Sequence, residues 1–367
     1  MPAASKVLSP LANSRQLEAT RYGQQYRDRL AKAAVLFRRW VVWSALFLPL
    51  GGDAYDQDAV WVDDTLASFV QYCYDAKVAY TVAVHAVLYA QVARPRLRKC
   101  LSTAWSRLSS WRLERPVRLR VPMPLPILNA AFVYALHLGF TADVCRAALW
   151  IPLAVCLRIG YFGLLRPIEI DQLTRLHLAL PSDAALGIGQ RLVCTLIDPK
   201  NRLSAGRMQF AIVDDSCTLA WAAWLLRSVP SSWRLFPGTQ ASFAALFREL
   251  FERMRLGHLG FTPASLRAGG ATNMFLEGVS IDRLKFQGRW RALGTLEHYI
   301  QEAVSCLILC RLEPNEAACV TRLNLFFANG TWPPAEHWHA YFSRRNQHAK
   351  RRARSLPVRR ATALERA

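Results

Sequence analysis

Apolar positions between residues 16 and 48 recur at helical spacing, which predicts one or two helices ending before the Gly51-Gly52-Asp53 breaker. Val62-Asp63-Asp64-Thr65 reads as the start of the next helix, which runs to about Ala76. Helical patterns follow over residues 80–93 and 96–112, and no strand pattern precedes residue 120. Pro116, Pro122, Pro124 and Pro126 then punctuate a basic stretch that reads as an interdomain linker. Helices resume over residues 127–138 and 141–159, and a further helix ends near Arg175. The clear β signal lies between 190 and 215. Residues 191–197 and 208–213 are rich in β-formers, and the cluster Asp198-Pro199-Lys200-Asn201-Arg202 opens the long loop of a hairpin. Helical patterns return over residues 218–227, 242–256, 263–277, 281–287 and 295–310. The expected fold class is mostly α with a small β-hairpin or sheet (α+β). The expected organisation is a disordered N-terminus (1–14), an all-helical domain (15–115), a linker (116–126), a second domain (127–332) and a basic C-terminal tail (333–367).

Composition narrows the function. Hydrophobic residues make up 52% of the 367 and charged residues only 20%, which excludes a disordered chain. The formal charge of +21 points to a polyanionic partner, nucleic acid ahead of an anionic membrane surface. The charge is clustered: residues 94–120 hold nine Lys/Arg against one acid, and so do residues 344–366. Arg94, Arg96, Arg98, Lys99, Arg118 and Arg120 are therefore candidate phosphate contacts. A solvated helix face is the plainer reading of either run alone. The nine cysteines are scattered and form no CxxC pair, so no disulfide framework or zinc module is expected, and a reducing compartment fits better. No signal peptide is expected at the start. The apolar stretch 40–50 is too short to cross a bilayer and 147–165 carries Arg158, so both read as buried helices and no membrane partner is expected.

Three arginine-centred islands carry the candidate chemistry. In Gly163-Leu164-Leu165-Arg166-Pro167-Ile168-Glu169, an arginine inside an apolar run needs a partner if buried, and Glu169 can supply it. Alone, this island reads first as a structural ion pair. In the second, Thr262 suits an N-cap, Pro263 the first helical position, and Arg267 lies just beyond the first turn. Gly269 and Gly270 are costly inside a helix and suggest close backbone packing. Alone, it reads as an ordinary capped helix with a surface arginine. The third runs from Gly288 through Arg289 and Trp290 to Tyr299, and on spacing alone Tyr299 is a core tyrosine. His337-Trp338-His339 lacks a third ligand, so no metal site is expected. No P-loop, dinucleotide glycine motif or hydrolase elbow is present, and no cofactor is expected.

In order and spacing, the three islands together resemble the catalytic domain of the tyrosine recombinases, the phage-integrase family, over about residues 125–310. Gly163 to Glu169 looks like the family's first arginine motif, Pro263 to Arg267 lies where its His-x-x-Arg motif belongs, and Gly288 to Tyr299 looks like its His/Trp-to-tyrosine segment. The Gly-Gly-Ala-Thr and Gly-Arg-Trp runs most resemble eukaryotic mobile-element versions, of the retrotransposon or crypton type. The resemblance implies a catalytic set of Arg166, Lys200, Arg267, Trp290 and Tyr299, with Glu169 in support. It implies site-specific DNA strand breakage and rejoining, as in recombination or integration, through a covalent 3′-phosphotyrosine link. Two arginines would bind the non-bridging phosphate oxygens, Tyr299 would attack phosphorus, Lys200 would protonate the leaving sugar oxygen and Trp290 would donate its indole N–H. The helical first domain suits the family's core-binding domain by architecture alone. Duplex DNA and self-association on DNA are the implied partners. Lys350, Arg351, Arg352 and Arg354 suit nuclear import in a eukaryote, and otherwise the cytoplasm or nucleoid is expected.

One position departs from the pattern. The family's His, three residues before the second arginine, is Ala264 here. Losing such a stabiliser typically costs about 10²–10³-fold in rate. Ser265 points to another helix face, and His258 is the remaining polar side chain with a claim to reach in. A catalytically inactive DNA-binding derivative of a mobile-element recombinase is the second reading. A basic helical protein with chance motifs is the third, and it requires Arg166, Arg267 and Tyr299 to lie apart in the fold.

Overall fold

The computed structural model describes residues 23–44, 53–115, 120–183, 189–197, 199, 206, 208–227, 229–330 and 333. The expected disordered N-terminus, Arg118, Lys200, His337 to His339 and the basic tail with Lys350, Arg351, Arg352 and Arg354 lie outside the described residues. The chain divides into two compact units, residues 1–118 and 119–367.

The first unit is built from α1 (Gln24–Trp43), α2 (Ala59–Asp75), α3 (Tyr80–Ala93) and α4 (Ser102–Glu114). Val62, Leu66, Phe69, Val70 and Cys73 fall on one face of α2 and are buried with Phe37, Ala83, Val87 and Leu108. The expected start of α2 at Val62 is three residues late, since the helix begins at Ala59. Asp58 is the N-cap, its carboxylate accepting from the Val60 N–H at 2.9 Å. Asp63 lies inside the helix, 5% exposed, and accepts from the backbone N–H groups of Thr103 (2.9 Å) and Ala104 (2.8 Å). It thereby caps α4, whose own N-cap residue, Leu101, has no side-chain acceptor. The single helix expected over 96–112 is instead a 3₁₀ turn, Pro95–Lys99, followed by α4.

The second unit is organised around a helical hairpin, α5 (Leu125–Thr141) and α6 (Val144–Phe162). A Cβ at Gly139 would sit 2.5 Å from the Ile151 side chain, so glycine lets the two helices approach. Helix α6 is long and apolar enough to cross a membrane, but it is mostly buried as the core helix of this unit. Its Arg158 is 1% exposed and pairs with Asp215 (2.8 Å), Asn129 (2.8 Å) and Thr218 (3.1 Å), which satisfies the buried charge. After α7 (Pro167–Gln172) comes an antiparallel sheet in the order β1 (Leu178–Ala179), β2 (Leu192–Ile197), β3 (Met208–Val213). The β2–β3 hairpin falls where the β-formers and the turn cluster place it, with Leu192 opposite Val213 and Ile197 opposite Met208. Strand β1 is two residues long, too short for a period-2 signal. Then follow α8 (Ser216–Leu226), α9 (Gln240–Arg253), α10 (Pro263–Leu276), α11 (Ile281–Gln287), α12 (Leu293–Glu297), α13 (Glu302–Cys310) and α14 (Pro314–Ala328). The chain is thus mostly helical with one small antiparallel sheet.

The expected linker needs correction from residue 120 onward. Met123 is fully buried and its N–H donates to the Ser265 carbonyl at 3.2 Å. A Cβ at Gly269 would lie 2.1 Å from the Met123 carbonyl oxygen, so the bare glycine in α10 is what lets this segment lie flat on the helix. The proline spacing that suggests a spacer here marks an extended segment inlaid in the fold.

Candidate active site

The first island turns a corner. Helix α6 ends at Phe162, and Leu164 takes a left-handed backbone conformation, φ +48°. That turn aims the Leu164 carbonyl inward, where it accepts from Arg267 (2.5 Å) and Arg289 (3.0 Å). A non-glycine residue held at positive φ is strained, and such strain collects at functional sites. Arg166 is the N-cap of α7 and Pro167 its first residue. Glu169 reaches back to accept the Arg166 N–H at 2.8 Å and the Arg166 guanidinium at 2.5 Å.

The second island opens α10. The Thr262 N–H donates to the Ser265 hydroxyl at 3.1 Å, closing a capping box. One turn on, Arg267 is completely buried. Its guanidinium donates to the carbonyls of Leu164 and Gly288 and lies 4.3 Å from the Trp290 ring and 5.4 Å from the Tyr299 ring. Its Nε has no partner among the described residues. Burial first, then the neighbouring charges of Arg166 and Arg289, push its pKa down to about 9. It still carries its charge at neutral pH, in a place that disfavours that charge.

The third island completes the cluster. Gly288 caps α11, and a Cβ there would lie 1.6 Å from the indole of Trp290, so the ring can fold back only over glycine. Arg289 is held at φ +58°, and its guanidinium donates to Glu169 at 3.0 Å. Trp290 is 5% exposed, its Nε1 is unpartnered among the described residues, and its ring centroid lies 5.1 Å from that of Tyr299. The helix expected over 295–310 is broken at Tyr299, between α12 and α13. The Thr272 hydroxyl is 3.0 Å from the Tyr299 carbonyl and accepts the Gln301 N–H at 3.1 Å. The Gln301 side chain donates to the carbonyls of His298 and Arg120. These bonds replace the helical ladder, and the phenol of Tyr299 points back to the cluster rather than along a helix.

Two guanidinium groups, Arg166 and Arg289, thus pair with one carboxylate, and a third, Arg267, shares the Leu164 carbonyl with Arg289. Burial tends to raise the pKa of Glu169, but Arg289, the Arg166 N–H and the other arginine charges outweigh it and hold the carboxyl below its ordinary value. Among the described residues the surplus is positive, with buried N–H donors of Arg267 and Trp290 unmet. Such a site suits a multiply charged oxyanion.

The structure brings together Arg166, Glu169, Arg267, Trp290 and Tyr299, so the chance-motif reading fails its own requirement. Lys200 lies outside the described residues, but the ends of its hairpin do not. Strand β2 passes close enough for Arg289 to influence Cys194, and Val213 of β3 packs at Gly163. Ala264 is half-buried, and neither neighbour replaces a histidine. Ser265 is committed to the cap, and His258 faces Glu316 of α14 at 3.6 Å. Arg289 was missed by sequence reasoning, although the Gly-Arg-Trp run that marks it was noted. Among the phosphate candidates, Arg94 is tied to Asp56, and Arg96 donates to the carbonyls of Asp56 and Gln57. Arg98 and Lys99 are exposed. Arg120 donates to the Tyr299 hydroxyl at 3.1 Å. No group of three or more His, Cys, Asp or Glu side chains is placed to hold a metal ion among the described residues.

No protein-family model matches the chain, and no curated protein sequence matches it. Solved structures do. The integrase of transposon Tn1549, in complex with transposon right-end DNA, aligns over 85% of this chain and 97% of its own with a TM-score of 0.54 at 11% identity. The XerH site-specific recombinase bound to palindromic difH substrate aligns over 72% of each chain, with a TM-score of 0.46 at 12% identity, too distant to carry weight. At such identities the likeness is one of fold.

Proposed function

We propose that this chain, whose fold is that of the tyrosine recombinases, breaks and rejoins duplex DNA through a covalent 3′-phosphotyrosine link. The observation that carries the reading is the convergence of three islands, far apart in sequence, on one buried positive cluster with a tyrosine hydroxyl at its edge. In this reading Arg166 and Arg267 hold the non-bridging oxygens of the scissile phosphate, with Arg289 braced behind them on Glu169. The Tyr299 hydroxyl gives up its proton to solvent as its oxygen forms a bond to phosphorus, and the bond from phosphorus to the sugar oxygen on the other side breaks, that oxygen taking up one proton, so the step is proton-neutral. The phosphodiester energy is retained in the new ester, so the reverse attack by a sugar hydroxyl rejoins the strand. The Trp290 indole N–H supplies a further donor to the phosphate. Lys200, on the hairpin loop, is the assigned acid for the departing oxygen by family resemblance. The exposed basic residues Arg98 and Lys99 contact DNA backbone phosphates, and self-association on DNA accompanies synapsis.

The test is a nicked duplex taken from the sequence flanking the chain's own gene. The expected result is a denaturation-resistant protein–DNA adduct that Tyr299→Phe abolishes. An adduct that survives Tyr299→Phe removes the nucleophile assignment and with it this reading.

Ala264 favours a second reading, a DNA-binding derivative without strand transfer. It predicts salt-sensitive DNA binding and no adduct. Ala264 stands where the family's His belongs, so Ala264→His is expected to raise adduct formation by about 10²-fold, the usual worth of one such donor. If the wild type forms no adduct and Ala264→His does, the site is intact and lacks that one group.

A further inference from the structure

The basic run 94–120 ends at Arg120, which its charge marks as one more phosphate contact. Its surroundings assign it a different task. The Arg120 guanidinium donates to the Tyr299 hydroxyl at 3.1 Å and lies 5.6 Å from the centre of the same ring. The ring thus has two guanidinium groups near it, Arg120 at 5.6 Å and Arg267 at 5.4 Å from its centre. The backbone of Arg120 is fixed as well. Its carbonyl accepts from Gln301 Nε2 at 2.8 Å, and Gln301 is 8% exposed and sits two residues beyond Tyr299. Three residues after Arg120, the Met123 N–H is bonded to Ser265, two residues before Arg267. The segment 120–123 thus binds both the turn that carries the tyrosine and the helix that carries the buried arginine. An exposed arginine serving only DNA needs none of these ties.

We propose that Arg120 is a positioning residue for Tyr299: its side chain orients the hydroxyl while its backbone, stapled by Gln301, locks the tyrosine-bearing turn to the start of the second unit. This rests on the recombinase reading for its consequence but not for its geometry. Arg120 acts through the tyrosine and not through the phosphate, so its loss lowers the rate of the step that uses the hydroxyl. DNA affinity is not what it sets.

The test has two arms on the full chain. In the first, 3-fluorotyrosine is placed at position 299 and its ¹⁹F resonance is recorded without DNA. Arg120→Ala is expected to move the resonance toward that of free fluorotyrosine, and Arg120→Lys, which keeps one donor, to lie between. An unchanged resonance in Arg120→Ala overturns the proposal. In the second arm, single-turnover adduct formation is followed on the nicked duplex at rising DNA concentration. Arg120→Ala is expected to lower the saturating rate by about 10²-fold, the cost of a misplaced reacting atom, with the half-saturating concentration unchanged and partial rescue in Arg120→Lys. A changed half-saturation and a salt slope smaller by about 1, with the saturating rate kept, mark a phosphate contact and overturn it. If Tyr299→Phe also forms adducts, the recombinase reading fails while the ¹⁹F arm still decides the role of Arg120. Because the Arg120 side chain is exposed, its replacement leaves the fold standing.

Discussion

Glu169 does three jobs with one carboxylate. It caps α7, pairs with Arg166 and braces Arg289. Its removal leaves two arginines and the fully buried Arg267 without a counter-charge, and breaking a buried pair in this way costs about 3–5 kcal/mol. Glu169→Gln is therefore expected to lower the unfolding free energy by about 3 kcal/mol at pH 7, measured by urea denaturation. The pH dependence follows from the lowered folded pKa. The ionised form is favoured by folding, so this stability is fully present above the unfolded value of about 4.3 and is lost as pH falls through the folded value. The gap between wild type and Glu169→Gln is expected to close in that acid range. A gap that is constant with pH contradicts the pairing. At this scale the arginine and its carboxylate were legible, since they sit three residues apart. Arg289 was not, because its partners Leu164 and Glu169 are more than a hundred residues away and nothing local distinguishes it from a surface arginine.

At the scale of elements, α10 is the frame on which the site hangs, and its glycines show why. Alanine is better than glycine in a helix by about 1 kcal/mol. At Gly269 the added Cβ would lie 2.1 Å from the Met123 carbonyl and 2.8 Å from the Met123 nitrogen, and backbone atoms cannot swing aside. The steric effect wins. Gly269→Ala is expected to destabilise the protein by about 1–3 kcal/mol, seen as a lower denaturation midpoint at unchanged slope. A stabilised variant contradicts the inlaid position of residues 120–123. The Gly-Gly pair did announce close backbone packing in the sequence, without naming what would lie there. The hairpin strands were legible to within a residue because a run of β-formers on either side of a turn cluster is a local property. The break at Tyr299 was not, because the pattern around it is compatible with a continuous helix. It is made by Thr272 and Gln301, whose bonds form only when α10 is alongside.

For the whole molecule, the charge of +21 dominates. Duplex DNA titrated with the full chain is expected to bind with log affinity falling linearly in log salt, at about −0.9 per neutralised phosphate. Arg98→Ala and Lys99→Ala are each expected to flatten that slope by about 1. Arg94→Ala is expected to leave it unchanged, because Arg94 is engaged with Asp56. A flatter slope in Arg94→Ala would show that DNA displaces the ion pair. The basic run is thus a charge surplus at the scale of the chain and a mixture of jobs at the scale of residues.

The amino-acid sequence alone determined most of the helices, the hairpin, the positive balance and the three islands in their spacing, all of which are local or additive properties, but not strand β1, helix α14 or the break at Tyr299. Tertiary structure decided which basic residues are spent on structure, how Arg267 is buried, that Arg289 joins it, and that residues 120–123 are part of the site. It also decided that Asp63 caps another helix rather than opening its own. The reason is common to all of these. A buried donor, acceptor or charge must find its partner wherever the fold supplies one, and the partners of Arg267, Arg289, Asp63 and Tyr299 come from segments that no local pattern connects.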